Sequence, residues 1–192
     1  MQENTLITFS TNHSRLVVGV LDIVHSTETT ISLSADNIDA FYTIFLQEIA
    51  NVLTGHKAVV LKNMGDGVLF YFPQTEELSE ADLSEVVDCG RALLTSRDVI
   101  NAKFAEVGLP TISYRVSMSF GPVSAMLGHD KKVIDLFGAT VTTCSKINKL
   151  ALPNTFVVGE ALETLLTSLN INAKKIADYH VGNDVVFGVY EI

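Results

Sequence analysis

The run LVVGVLDIV, residues 16–24, most constrains what this chain can fold into. Apart from Gly19 and Asp22 it is entirely Val, Leu and Ile. A strand with one wet face alternates apolar and polar residues, so an unbroken run marks a strand buried on both faces. Such a strand needs neighbours in a sheet and further elements covering it. It also makes Asp22 an anomaly, because a carboxylate left desolvated and unpaired is costly. Asp22 is expected at the end of the strand, either capping the next turn or serving a site.

The rest of the chain supplies those parts. HSTETT follows, with Ser26 and Thr27 as candidate N-caps of a helix. SADNIDAFYTIFLQEIANVLTGH has apolar residues at helical spacing, from Ile38 and Phe41 through Phe45 and Ile49 to Leu53, and closes on Gly55. Residues 57–72 read as a hairpin turning at NMGDG, and LSEVVDCGRALLTSRDVINAKFAEVG as a second long helix ended by Gly108 and Pro110. ISYRVSMSF and GPVSAMLG read as two strands joined at Gly121 and Pro122, and DLFGATVTTCSKINKLA as a helix stopped by Pro153. TFVVG is a short strand, EALETLLTSL a short helix, and KKIADYHVGNDVVFGVYEI a hairpin turning at Gly182, Asn183 and Asp184.

The predicted order is β-α-α-β-β-α-β-β-α-β-α-β-β, which resembles the split βαβ arrangement of ferredoxin-like folds. The expected class is α+β: a sandwich of one mixed, mostly antiparallel sheet with helices packed against it. The one candidate linker, PQTEELSE at 73–80, is short. Residues 15–192 therefore read as a single domain, with 1–14 an N-terminal extension able to add an edge strand or a dimer arm.

Charge narrows the partners. A formal net charge of −9 argues against nucleic acid and anionic membranes, which are held mainly by Lys and Arg. It leaves room for a phosphate-bearing small molecule, which needs only a local cation cluster or a metal. Cys89 and Cys144 lie far apart in helix-like sequence and imply neither a disulfide framework nor a zinc site. No segment approaches the roughly 18–20 apolar residues of a membrane span, and the N-terminus is polar. A cytoplasmic protein is the expectation.

Asp66, inside GDG, is unremarkable alone, since turns favour Asp and Gly. The pair with Asp22 is more informative. If strand 16–24 lies beside the hairpin, two carboxylates converge next to the loop VHST. Close carboxylates repel unless a cation lies between them. Magnesium is held by one or two carboxylates with phosphate oxygens and waters. The backbone N–H groups of Val24, His25, Ser26 and Thr27, opening a helix, offer an anion cradle. Carboxylates plus cradle point to a metal–triphosphate site.

Four segments, in order, then resemble one family. VLDIVHST resembles F-x-D-I-x-G-[FS]-T, and LKNMGDGVLFYF resembles x-K-x-x-G-D-x-x-x-x-x-F. YRVSMSFGPV resembles x-R-[IV]-G-I-x-x-G-x-V, and DLFGATVTTCSKINKLA resembles D-x-x-G-x-x-V-N-x-A-x-R-[LM]. These are the motifs of class III nucleotidyl cyclase catalytic domains, spanning residues 16–151 here.

The resemblance implies roles. Asp22 and Asp66, with the carbonyl of Ile23, would hold two Mg2+ or Mn2+ ions per site. One ion would activate the ribose 3′-hydroxyl for attack on the α-phosphorus and the other would brace the phosphates. Arg115 would contact the triphosphate through paired hydrogen bonds. Lys62 and Asp135 would read the base. A lysine donor facing N1 and an aspartate acceptor facing the N6 amine fit adenine, whereas guanine reverses that pattern. ATP is thus the expected substrate. The family's head-to-tail dimers share their sites: one protomer gives Asp22, Asp66 and Arg115, the other Lys62, Asp135 and the following helix. This chain carries both halves, so a homodimer with two equivalent sites is expected.

The match departs at two catalytic positions. Where the family has Asn and, four residues later, Arg, this chain has Thr142 and Lys146. Lysine keeps the charge of arginine but not its planar fork. Lys149, about a turn further on, is a candidate compensator, whereas Asn148 faces away from Thr142. His25 stands in place of a usual glycine. Two alternatives therefore stay open: a catalytically weak or inactive cyclase-homology domain that binds nucleotide or a regulatory partner, and a cyclase acting on another triphosphate.

Overall fold

The computed structural model describes residues 8–10, 14–73, 77–181 and 185–192. The first half of the chain forms β1 (Thr8–Phe9), β2 (Ser14–Ile23), α1 (Ser26–Ile31), α2 (Ala35–Gly55), β3 (Val59–Asn63) and β4 (Gly67–Phe72). Then come α3 (Glu80–Glu106), β5 (Tyr114–Leu127), β6 (Val133–Phe137) and α4 (Ala139–Asn148). The chain closes with β7 (Phe156–Gly159), α5 (Glu160–Thr167), β8 (Lys174–Val181) and β9 (Val185–Glu191).

Strand β2 lies inside the sheet, as its apolar run requires. The order is β3-β4-β2-β5-β7-β9-β8, with β1 and β6 both on the far part of β5. Only β5 and β7 run parallel among the described pairings. The α+β class with a mixed, mostly antiparallel sheet is therefore what the chain adopts.

Strand alternation sorts the side chains onto two faces. Val17, Leu21 and Ile23 of β2, with Val68, Phe70 and Phe72 of β4, pack against Phe41, Phe45, Ile49 and Leu53 of α2 and Leu93, Ile100 and Phe104 of α3. Each such fully buried side chain contributes about 1.5–3 kcal/mol by leaving water. Gly19 interrupts the run because a Cβ there would sit 2.1 Å from the Phe70 ring. Leu16, Val18 and Val20, with Leu69 and Tyr71, form the opposite face under Cys144 of α4 and Leu136 of β6. Asp22 continues the series 16, 18, 20 and so belongs to the α4 face.

Three local expectations are corrected. Gly121 and Pro122 do not separate two strands; both lie within the single 14-residue β5. Pro122 is in register with Arg15, while β7 covers only Val116–Met118 on the other edge. A missing N–H is tolerated where no strand on that edge needs it. Residues Val133–Phe137 are a strand, not the front of a helix, so Asp135 lies on β6. A short apolar run such as VIDLF carries no period that separates the two. These two misreadings cancel in the predicted element order. Finally, the cap of α1 is His25, with no side-chain capping bond; Ser26 and Thr27 are its first helical residues. Residues 182–184, the expected turn of the last hairpin, and 74–76 of the linker segment lie outside the described residues. No helix among the described residues is long and apolar enough to cross a membrane.

Candidate active site

Asp22 is in register with Gly67 on β4 and with Arg115 on β5. Directly opposed residues share a face, so Arg115 emerges beside Asp22 on the α4 side. Asp66 sits at the tip of the β3–β4 hairpin. Its carbonyl accepts from the Ile23 N–H at 3.1 Å, and its carboxylate accepts from the Ser26 hydroxyl. The hairpin tip is thus tied to the end of β2 through the main chain and to the start of α1 through the side chain. A Cβ on Gly67 would lie 2.7 Å from the Leu21 carbonyl and 3.3 Å from Asp22 Oδ1. Glycine is what lets the two acid-bearing segments approach.

The electrostatics agree with that convergence. Burial pushes the Asp22 carboxyl above its ordinary range, and the Asp66 carboxylate pushes it the same way. Arg115 and Lys149 pull it back. Two half-buried acids side by side, next to the Ile23 carbonyl, make a set of hard oxygen donors suited to Mg2+ or Mn2+. No group of three or more His, Cys, Asp or Glu able to hold a metal gathers among the described residues. The donor set fits an ion whose coordination is completed by phosphate oxygens and water.

The anion cradle is smaller than the sequence implied. The Val24 N–H donates to the Ser113 carbonyl at 2.8 Å and is not free. His25 adopts the left-handed conformation, φ 56° and ψ 33°, which explains glycine as the usual residue there. Its exposed ring lies 3.5 Å from Glu28 Oε2. Ser26 and Thr27 open α1, where backbone N–H groups have no carbonyl one turn back. The Ser26 hydroxyl is engaged by Asp66. Arg115 Nε is buried without a hydrogen-bond partner among the described residues, a donor suited to an anion.

A second cluster forms on the same face. Lys62 of β3 is in register with Leu69, a residue of the α4-side core. Its ammonium donates to Asp135 Oδ2 at 2.6 Å, and Asp135 Oδ1 accepts from the Leu136 N–H at 2.8 Å. Thr142 and Lys146 lie on the exposed side of α4, with Cys144, Ile147 and Asn148 buried behind them. The Thr142 hydroxyl donates back to the Gly138 carbonyl at 3.3 Å. The helix is fastened to the sheet by Ser117 Oγ donating to the Cys144 carbonyl at 3.0 Å and Asn148 Nδ2 donating to the Val20 carbonyl at 3.1 Å. Burial pushes the Cys144 thiol up to about 12, so it is a packing group rather than a nucleophile. A cavity of about 180 Å3 between β5, α4 and α5 contains none of the candidate residues.

The structure thus brings Asp22, Asp66 and Arg115 together, and Lys62 and Asp135 together, with Thr142 and Lys146 on an open helix face. The profile of the adenylate and guanylate cyclase catalytic domain matches residues 10–188. The chain belongs to that family. Solved cyclase domains share its fold. The adenylyl cyclase CyaB from P. aeruginosa superposes with a TM-score of 0.82 at 18% identity, over 96% of this chain and 95% of that one. The guanylyl cyclase Cya2 gives 0.79 at 19% identity, over 94% and 92%. The guanylate cyclase domain of RhGC from Catenaria anguillulae, in complex with GTP, gives 0.77 at 16%, over 93% and 95%. A search of curated protein sequences gives no significant match.

Within this cyclase domain, two features escaped the sequence. Ser26 reads as a cap or a phosphate contact, yet it braces Asp66 across 40 residues of chain. Asn148, 1% exposed, anchors α4 beside the Asp22 strand, as its Nδ2 also donates to the Arg115 carbonyl at 3.3 Å. Asn148 carries a signal, being one turn after Cys144 and so on the same helix face, whereas Ser26, inside the polar run HSTETT, carries none.

Proposed function

We propose that this cyclase domain converts ATP to 3′,5′-cyclic AMP and pyrophosphate at sites shared between two copies of the chain. The observation that carries the reading is the Lys62–Asp135 pair, 2.6 Å apart although β3 and β6 pair with different strands of the sheet. Its donor and acceptor match the N1 and N6 edge of adenine. Bound Mg2+ or Mn2+ would supply charge neutralisation of the phosphates and activation of the 3′-hydroxyl.

The chain's own residues do the rest. Asp22, Asp66 and the Ile23 carbonyl would hold the ions. Ser26 fixes the orientation of Asp66, and partners of this kind tune affinity by about 10–100-fold. Arg115 and the free N–H groups opening α1 hold the triphosphate. Lys62 and Asp135 seat the adenine, giving up part of their mutual ion pair to do so. From the second copy's α4, Thr142 touches the ribose and Lys146 offsets charge gathering at the α-phosphate. The 3′-hydroxyl releases its proton to solvent as its oxygen bonds to the α-phosphorus, the bond from that phosphorus to the bridging oxygen breaks, and pyrophosphate leaves with the electron pair.

Sharing between copies is supported by what surrounds α4. Phe137 just before it is 44% exposed, and Leu152 just after it is 64% exposed. Apolar side chains flanking exposed Thr142 and Lys146 suit a face that a second copy covers. The lysine, lacking a planar fork, makes turnover slow, by up to about a hundredfold for a lost preorganised donor.

The test is complementation. Asp66→Ala and Asp135→Ala proteins should each be inactive, and mixing them should restore one intact site per mixed dimer. Mixed dimers that stay inactive contradict the shared site.

A further inference from the structure

The C-terminal end of α4 lies against its own chain's metal-holding strands. Asn148 is buried, and its Nδ2 donates to the carbonyls of Val20, two residues before Asp22, and of Arg115, the cross-strand partner of Asp22. The next residue, Lys149, caps the helix and is exposed. Its backbone is therefore held one residue from groups that flank Asp22. Lys149 lies seven residues after Thr142, almost two full turns, so it also continues the exposed stripe of Thr142 and Lys146. Of the three, it is the one at the fastened end.

We infer that Lys149 is a phosphate-contacting cation of its own protomer's metal-holding half, working beside Arg115, and does not join Thr142 and Lys146 in reaching the partner's site. This rests on the shared-site reading above and divides one helix between two sites. Thr142 and Lys146 serve the site across the interface. Lys149 serves the site built on Asp22 and Asp66 of the same chain.

Three observations converge on it. Lys149 follows directly on Asn148, whose side chain is fixed to the carbonyl of Val20 in the Asp22 strand and to that of Arg115, which lies opposite Asp22. It has no carboxylate partner among the described ion pairs. Arg115, whose carbonyl Asn148 holds, has a buried Nε with no partner among the described residues, a donor suited to an anion. A triphosphate with its metal ions supplies such oxygens, and a flexible ammonium suits them as a point charge.

The experiment separates the two assignments. Lys149→Ala alone should lower turnover and weaken tripolyphosphate binding by about tenfold each. It is then mixed in equal amounts with Asp135→Ala and, separately, with Asp22→Ala. If Lys149 acts with its own Asp22, the Asp135→Ala mixture contains one wild-type site per mixed dimer. Activity should then recover to about a quarter of wild type by random pairing. The Asp22→Ala mixture should show no recovery. The reverse pattern, recovery with Asp22→Ala only, places Lys149 across the interface and overturns the inference. The Asp66→Ala with Asp135→Ala mixture is the control: its failure counts against the shared site itself.

A second readout is independent of turnover and pairing. In nucleotide-free protein, removing a cation beside Asp22 should tighten Mn2+ binding by about fivefold, read by electron paramagnetic resonance of free Mn2+. Lys146→Ala should leave Mn2+ affinity unchanged. Equal Mn2+ affinity in Lys149→Ala and wild type overturns the inference.

Discussion

The Lys62 ammonium on β3 and the Asp135 carboxylate on β6 meet at 2.6 Å although 73 residues separate them. Neither is placed by local sequence. Each strand is short, and the hairpin and the far end of β5 bring them together. In the proposed base-reading role, this pairing would fix both a donor and an acceptor before the nucleotide arrives.

Base choice should follow from it. Lys62→Met and Asp135→Asn are each expected to lower kcat/KM for ATP by about 10–100-fold while changing the value for GTP less. A site built to hydrogen-bond one edge discriminates by leaving its buried polar groups unpaired with the wrong one. Steady-state kinetics on both triphosphates check this. An ATP-to-GTP ratio that does not move contradicts it.

Asp22 should oppose folding when no metal is present. Its folded pKa lies above the unfolded value, chiefly through burial and then through Asp66. Protonation therefore favours the folded state, and that stability is lost as pH rises from the unfolded pKa through the folded one. At neutral pH the charged Asp22 is a liability. Asp22→Asn is expected to raise the metal-free Tm, by about 2–4 °C for each kcal/mol relieved at this chain length. Mn2+ should raise the Tm of wild type but not of Asp22→Asn. Thermal scans with and without Mn2+ decide; a lower metal-free Tm for the variant contradicts the account.

Gly67→Ala tests the close approach of the acid-bearing segments. The added methyl would meet the Leu21 carbonyl at 2.7 Å, which backbone cannot relieve by rotation. The expected loss is about 1–3 kcal/mol of stability, as for overpacking, together with weakened Mn2+ binding because Asp22 Oδ1 is displaced. Denaturant unfolding and a Mn2+ titration read the two effects. Unchanged stability would show that β2 and β4 have more room than the structure gives them.

Restoring the usual α4 pair should speed the reaction. On the proposed reading, Lys146→Arg regains a planar fork for the α-phosphate, and Thr142→Asn regains a longer reach toward the ribose. Both side chains are exposed, so folding should be unaffected. The double variant is expected to raise kcat by about 10–100-fold with a smaller change in KM. No gain in kcat would remove these two positions from the reaction.

The sequence shows the fold well where patterns are long. The both-face-buried β2 and the long α2 and α3 follow from apolar spacing, and the Asp22–Asp66 convergence follows from placing the hairpin beside β2. It fails where short runs are ambiguous. VIDLF has no period to tell strand from helix, and Gly121 with Pro122 looks like a break inside one continuous strand. Site detail set by tertiary contact is also invisible. The Val24 N–H is taken by Ser113, 89 positions along the chain, and no local signal foretells it. Ser26 and Asp66 likewise find each other only once the hairpin has docked.

The most direct measurement is incubation of the purified protein with equimolar ATP, GTP, CTP and UTP and Mn2+, followed by mass detection of cyclised nucleotides. The account requires 3′,5′-cyclic AMP as the main product, with pyrophosphate, and none from Asp22→Ala. No cyclised product from wild type, or cyclic GMP in excess of cyclic AMP, would contradict it.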